Sequence, residues 1–347
     1  MTIKDPNIEN RKKDHLRIVG GEAAGYREVT NGFEQYRFIH NALPEQNLAQ
    51  VDTSVTFMGK RLSVPLMIVP MSGGEAEGEQ LNRDLALAAQ EEHIALGLGS
   101  LRPALENPAC LATYAIARQL APDVPIIANL GASQLKAVIR KESFFQMLSD
   151  IGADALSIHL NPLQEALQPE GETDFRNISE TIEILKEITP LPVIVKEVGF
   201  GLSFDVIHRL KKIGVEWIDI AGAGGTSWAR VEENRIDDPI EKELARQFFE
   251  WGIPTAKALS DAVKVKNCRI IASGGLEEGL DFAKAIALGA SMTGAAAAFL
   301  RIYRRGGVEA VRQYISLIRS TLRIAMFATG CRNVSGFRGN PAVIEKI

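Results

Sequence analysis

Leu66-Met67-Ile68-Val69-Pro70 is an apolar run that ends in the small, turn-forming Met71-Ser72-Gly73-Gly74. From Gly78 to Glu92 apolar residues return every three or four positions, and Ile94 to Leu98 is apolar again. That order specifies a strand, a crossover helix and a parallel strand. An open doubly wound sheet would carry a GxGxxG run directly after its first strand, with an acidic residue further on. Met71 to Gly74 has no such spacing. The strand–helix pattern repeats instead: runs at Pro125 to Asn129, Ala155 to His159, Val193 to Glu197, Trp217 to Ala221, Arg269 to Ala272 and Ser291 to Thr293 bring the predicted strands to eight. Helical spacing recurs at Pro108 to Leu120, Ile178 to Ile188, Phe204 to Ile213 and Leu276 to Leu288. Glycines follow several strands, at Gly97, Gly131, Gly199, Gly222, Gly274 and Gly294. Eight β/α units with glycines spread over many strand ends predict a TIM (β/α)8 barrel, whose ligands bind where the strands end.

The proportions of the chain, 46% hydrophobic and 24% charged over 347 residues, are those of an ordinary globular protein. Lys+Arg 39 against Asp+Glu 43 leaves a net charge of −4, so no overall basic field draws nucleic acid or an anionic membrane. Cys110, Cys268 and Cys331 lie far apart without CxxC or CxxH spacing, which argues against a disulfide framework or structural zinc and for a reducing, cytoplasmic setting. The apolar run from Leu62 to Met71 falls short of the roughly 20 residues of a membrane span. The expectation is one domain over 1–347: a cap at 1–65, the barrel at 66–300, and at 301–347 a helix near Val308 to Thr321 followed by a mobile, Gly-rich tail from Thr329 to Asn340.

Ala272-Ser273-Gly274-Gly275 and Gly294-Ala295-Ala296 end the seventh and eighth strands, each before a helix. Backbone N–H groups at a helix start, approached closely because glycine has no side chain, suit a phosphate where barrels often place one. Lys196 ends strand five, as either a surface lysine paired with Glu197 or, in an FMN-binding barrel, a cation that stabilises negative charge on the reduced flavin. After strand four comes Ser157-Ile158-His159-Leu160-Asn161-Pro162-Leu163-Gln164-Glu165. His159, Asn161 and Gln164 can bind oxygen-rich groups, and Glu165 is a hard carboxylate suited to Mg²⁺. Arg11-Lys12-Lys13-Asp14-His15 is either a solvated face or a clamp for a diphosphate.

Taken together, Arg-Lys-x-x-His at Arg11 to His15, Met71-Ser72-Gly73-Gly74, Gly99-Ser100, His159-x-Asn161-x-x-Gln164-Glu165, Val195-Lys196-Glu197, Gly222-x-Gly224-Gly225-Thr226-x-Trp228 and Ser273-Gly274-Gly275 resemble the type 2, FMN-dependent isopentenyl-diphosphate isomerases. The resemblance implies that Met71, Ser72, Gly73, Ser100, Asn129, Lys196 and Thr226 line FMN. Its phosphate would lie on the loops holding Gly274, Gly275, Gly294, Ala295 and Ala296. Arg11, Lys12, Arg102, His159 and Asn161 would grip a diphosphate, with Gln164 near the reacting carbons, Glu165 on Mg²⁺ and Glu232 close by. Gln164, Glu232 and His159 form the implied catalytic set. Two positions depart from the family: Leu276-Glu277 stands where an arginine often follows the glycines, and Val198 where a hydroxyl residue is frequent.

The implied reaction interconverts isopentenyl and dimethylallyl diphosphate by a 1,3-proton shift, with NAD(P)H serving only to reduce the flavin, in a homotetramer or homo-octamer. A rival FMN barrel, oxidising 2-hydroxy acids, would need a positioned base. The five histidines are His15, His40, His93, His159 and His208, and none follows strand six or seven at the rim. A non-catalytic metabolite sensor would leave the grouping of His159, Gln164 and Glu165 without a purpose.

Overall fold

In the computed structural model residues 14–21, 24–71 and 76–347 are described. Strands β1 (Leu66–Ile68), β2 (Ala95–Ser100), β3 (Ile126–Gly131), β4 (Ala155–His159), β5 (Val193–Lys196), β6 (Trp217–Asp219), β7 (Arg269–Ser273) and β8 (Met292–Ala295) close into a barrel in chain order, β8 pairing with β1. Every neighbouring pair is parallel, with helices in the crossovers. The barrel is the one the apolar runs predict.

Strand side chains alternate between two faces, and the core splits accordingly. Met67, Ala95, Ile127, Ala155, Ile194, Trp217, Ile271 and Met292 pack together inside the barrel, with Phe57 and Leu62 of a small hairpin among them. Their chain neighbours, among them Ile68, Leu96, Ile126, Leu156, Val195, Ile218 and Ile270, join the outer core that includes the helices. Two residues further along five of these strands, the inward positions turn polar: Asn129, Ser157, Lys196, Asp219 and Ser273 are all buried. The barrel is thus apolar at its base and polar beneath its mouth.

Several element boundaries differ from the periodicity. The helix expected from Leu276 begins at Gly279, because Gly275 sits at φ +70° and Glu278 caps the helix in a reciprocal box with Asp281. The stretch expected as one helix from Pro108 opens with a 3₁₀ turn, Pro108–Leu111, before the α-helix Ala112–Leu120. The last long helix, Ala297–Ala328, is broken at Gly306 and Gly307, and its second part runs beyond Thr321.

The tail expected to be mobile is packed. Phe337 is fully buried and stacks on Phe38 with ring centroids 5.7 Å apart, and Val343 and Cys331 are buried as well. Ile344–Lys346 then pairs antiparallel with Tyr36–Phe38. A few apolar anchors, spaced irregularly through a polar, glycine-containing stretch, supply the burial that overall composition hides. Phe337→Ala is expected to remove about 3–5 kcal/mol of stability, read as a fall in the urea midpoint; a tail not packed into the fold would show no change.

Candidate active site

The strands' carboxyl ends open into one mouth. One wall is formed by the ends of β1, β2, β3 and β5, where Met71, Ser100, Asn129 and Lys196 line the cavity. Lys196 is buried, and its Nζ donates to the backbone oxygen of Glu197 at 2.5 Å rather than to that residue's carboxylate. The carboxylate of Glu197 turns away and its Oε2 accepts from the amides of Val198, Gly199, Phe200 and Gly201 at 2.5–3.1 Å. Burial pushes the Glu197 carboxyl up to about 7 against the pull of those amides and of Lys196. Burial likewise lowers the Lys196 pKa, while Asp219 and Glu197 oppose the shift. Asp219 lies opposite Lys196 on β6, and its Oδ1 accepts from Ser273 Oγ at 2.5 Å.

The glycine loops explain themselves by distance. A Cβ at Gly274, where φ is +106°, would sit 2.1 Å from the Gly222 oxygen, so the loops after β6 and β7 lie backbone against backbone. Gly294 meets a side chain instead: a Cβ there would lie 2.4 Å from Val69 Cγ2, just past the end of β1. Gly274, Gly275, Ala295 and Ala296 line the cavity beside the first residues of the Ala297–Ala328 helix. First-turn amides have no partner within a helix, which suits an anion. Glu277, standing where the family often has arginine, is ion-paired with Arg301 on that helix. A flat group with a phosphate tail, as FMN is, therefore fits this wall: a buried cation, side-chain-free loops and open helix amides face one space.

The opposite wall follows β4. Asn161 precedes the short helix Pro162–Leu167 and Pro162 occupies its first position, where the missing N–H costs nothing. Spacings of three and four put Asn161, Gln164 and Glu165 on one helix face. Asn161 Nδ2 donates to Gln164 Oε1 at 3.1 Å and to Glu165 Oε1 at 2.8 Å, and Gln164 Nε2 donates to Glu232 Oε1 at 2.9 Å. Glu165 Oε2 accepts from the Glu172 amide at 2.7 Å. His159 Nδ1 lies 3.2 Å from Asn129 Oδ1, joining the two walls. Arg102 is held by Glu106 at 3.0 Å and Glu172 at 3.2 Å.

Glu232 stands behind Gln164 with no exposed surface. Burial opposes its charge, yet His15, Gln164 and Arg235 outweigh burial and hold the carboxyl below its ordinary range. Arg235 Nη1 reaches Glu232 Oε2 at 2.6 Å, and His15 Nε2 lies 3.1 Å from Glu232 Oε1. The His15 ring meets Trp228 edge to face, 5.0 Å between centroids. Among the described residues no three or more His, Cys, Asp or Glu side chains gather as a metal cage. A cation at Glu165 would draw its other ligands from substrate oxygens and water, as Mg²⁺ commonly does.

The profile of the FMN-dependent dehydrogenase family matches residues 7–121 and 128–344. Isopentenyl-diphosphate delta-isomerase of Pseudescherichia vulneris is 45% identical over 339 residues, covering 97% of this chain and 97% of that protein. The enzyme of the same name from Pyrococcus abyssi is 43% identical over 91% of this chain and 87% of its own length. The chain belongs to the FMN-dependent isopentenyl-diphosphate delta-isomerases. Among solved structures, a flavocytochrome b2 variant with sulfite bound superposes with a TM-score of 0.70 at 18% identity over 95% of this chain and 82% of that one, which shows the shared barrel.

Of the residues that the family resemblance singles out, Met71, Ser100, Arg102, Asn129, His159, Asn161, Gln164, Glu165, Lys196 and Thr226 line the one cavity, as do Gly274, Gly275, Ala295 and Ala296. Glu232 and Gly294 are packed behind its surface. Arg11, Lys12, Ser72 and Gly73 lie outside the described residues. Val198, where the family often has a hydroxyl, contributes its backbone oxygen to Trp228 Nε1 at 2.8 Å. The sequence left His15 without a role and overlooked Arg235, Glu172 and Gln168. For Gln168 the signal was present, since it continues the Asn161, Gln164 face by one further turn.

His15 reaches the site from a segment folded over the mouth, and its onward chain is fastened beyond it. Gly25 bridges to Thr226, and Tyr26 Oη donates to the Trp251 oxygen at 2.7 Å. The Glu250 carboxylate accepts from the amides of Arg27, Glu28 and Val29 and from Arg230. Burial opposes the charge of Glu250, but the Val29 amide, Arg230 and the other amides hold its carboxyl down to about 2. A carboxyl depressed in the folded state stabilises fully above its unfolded value, near 4.5, and that stability fades as pH falls toward about 2. Glu250→Gln is therefore expected to shrink the difference in urea midpoint between pH 6 and pH 3 relative to the parent; an unchanged difference would show that the clasp carries no charge-dependent stability.

Proposed function

We propose that this protein interconverts isopentenyl diphosphate and dimethylallyl diphosphate by a 1,3-proton shift, using reduced FMN, Mg²⁺ and, for the initial reduction, NAD(P)H. The observation that carries this reading is the pairing of walls: an FMN-suited surface faces an Asn161–Gln164–Glu165 helix face backed by the ionised Glu232. The same reading makes it a cytoplasmic homotetramer or homo-octamer with one domain over 1–347. Among the described residues no helix is long and apolar enough to cross a membrane.

An unactivated alkene is a weak base, so its protonation needs a close, oriented acid and stabilisation of developing positive charge. FMN, when bound and reduced, supplies proton exchange and an electron-rich face. Lys196 would hold negative charge on that group, with Met71, Ser72, Gly73, Ser100, Asn129 and Thr226 around it. The loops with Gly274, Gly275, Gly294, Ala295 and Ala296 would receive its phosphate. Gln164 is held by Asn161 on one side and Glu232 on the other, and its fixed carboxamide would lie near the reacting carbons. Behind it the Glu232 carboxylate is placed to stabilise a cation electrostatically. His159, Asn161, Arg102, Arg11 and Lys12 would bind the diphosphate, and Glu165 would ligate the Mg²⁺ that neutralises it. Arg102 would have to exchange Glu172 or Glu106 for the substrate.

The test is anaerobic turnover with FMN, Mg²⁺, NADPH and isopentenyl diphosphate, product followed by mass. Dimethylallyl diphosphate is expected without stoichiometric NADPH consumption; no product from protein with bound, reduced FMN would overturn the substrate. Gln164→Ala is expected to lower kcat by roughly 100-fold or more with FMN content unchanged. Equal loss of both would make Gln164 a cofactor residue instead.

A further inference from the structure

Gln168 follows the helix that carries Asn161, Gln164 and Glu165, and its backbone is fixed at both ends. Its amide donates to the Gln164 oxygen at 3.0 Å, and its carbonyl accepts from the Gly171 amide at 3.0 Å. Gln168-Pro169-Glu170-Gly171 is thus a tight turn with Pro at the second position and Gly at the fourth, the places those residues favour. The turn is pressed onto the helix, since a Cβ at Gly171 would lie 1.8 Å from the Glu165 oxygen. Within it Glu170 is ion-paired with Arg235 at 2.6 Å, and just beyond it the Glu172 amide donates to the Glu165 carboxylate.

The side chain of Gln168 leaves this rigid turn and lines the cavity while only 6% exposed, yet its Nε2 has no hydrogen-bond partner. Enclosing an N–H donor without an acceptor is costly, and an apolar side chain of similar size would avoid the cost. An unmet donor on the ligand-facing side of a fixed turn is accounted for by an acceptor that arrives with the ligand. Within the function proposed above, on which this step rests, the substrate offers only a hydrocarbon chain and a diphosphate, and only the diphosphate accepts. We infer that Gln168 is a further substrate-binding residue, its Nε2 donating to a diphosphate oxygen beside the Asn161–Glu165 face.

The test uses the FMN-loaded protein and two readouts: calorimetric binding of inorganic pyrophosphate with Mg²⁺, and isomerase KM and kcat. Gln168→Met, close in size but without a donor, is expected to weaken pyrophosphate binding and raise KM by roughly tenfold or more. FMN content and kcat should stay near parental values, and the ligand-free Tm should hold or rise because the unmet donor is gone. Gln168→Glu, which keeps the shape and sets a negative charge against the diphosphate, should bind pyrophosphate more weakly still, and this arm decides the matter if the Met variant does not fold. Unchanged pyrophosphate affinity in either variant, or a ligand-free Tm lowered by several degrees with unchanged KM, overturns the inference and makes Gln168 structural. Parent protein that binds pyrophosphate without isomerising overturns the reaction while leaving the binding arm to decide on Gln168. Parent protein that binds no pyrophosphate overturns both.

Discussion

An ionised carboxylate with no exposed surface needs several donors within reach, because nothing else compensates for the water it has lost. Glu232 draws them from three parts of the chain: Gln164 from the helix after β4, Arg235 from its own loop, and His15 from the segment over the mouth. Each donor is fixed in turn by a second interaction. Gln164 accepts from Asn161, Arg235 binds Glu170, and the His15 ring meets Trp228, whose Nε1 donates to Val198 beside β5. Satisfying one buried charge therefore ties together the loops after β4, β5 and β6 and the amino-terminal segment. The same bonds orient Gln164 toward the cavity.

The barrel supplies the frame for that charge by a simple rule of period two. Inward positions that are Ile127, Ala155, Ile194, Trp217 and Ile271 at the base become Asn129, Ser157, Lys196, Asp219 and Ser273 one inward step higher. Apolar packing below fixes the strands rigidly, and the polar layer above inherits that rigidity. Lys196 sits among partially compensating charges, Asp219 opposite on β6 and Glu197 next in chain, and this keeps a cation tenable where burial disfavours it.

The barrel was legible because apolar strand runs and amphipathic helices have distinct periods, and eight alternations leave little choice of architecture. The strand-end residues were legible for the same reason: once β4 ends at His159, Asn161 through Glu165 must lie at the mouth. What the sequence concealed were structures that depend on isolated contacts. The tail after Thr329 reads as polar, yet Phe337 and Val343 each find a buried slot, which no periodicity announces. His15 stood in a noted motif, but only folding brings it to Glu232, more than two hundred positions later. At Gly294 the side chain that excludes a Cβ belongs to Val69, just past the end of β1.

Unmet polar atoms lie at this mouth and just beneath it. Asn161 Oδ1 and Gln168 Nε2 line the cavity without partners, and Asp219 Oδ2 lies unpartnered in the polar layer beneath it. Buried polar groups are almost always paired, and those that face a cavity can be met by a ligand. The two cavity atoms are of opposite kind, an acceptor at Asn161 and a donor at Gln168, separated by two helical turns along one face. A ligand that presents both a cation or its water and anionic oxygens can satisfy both at once, as a Mg²⁺-bound diphosphate does.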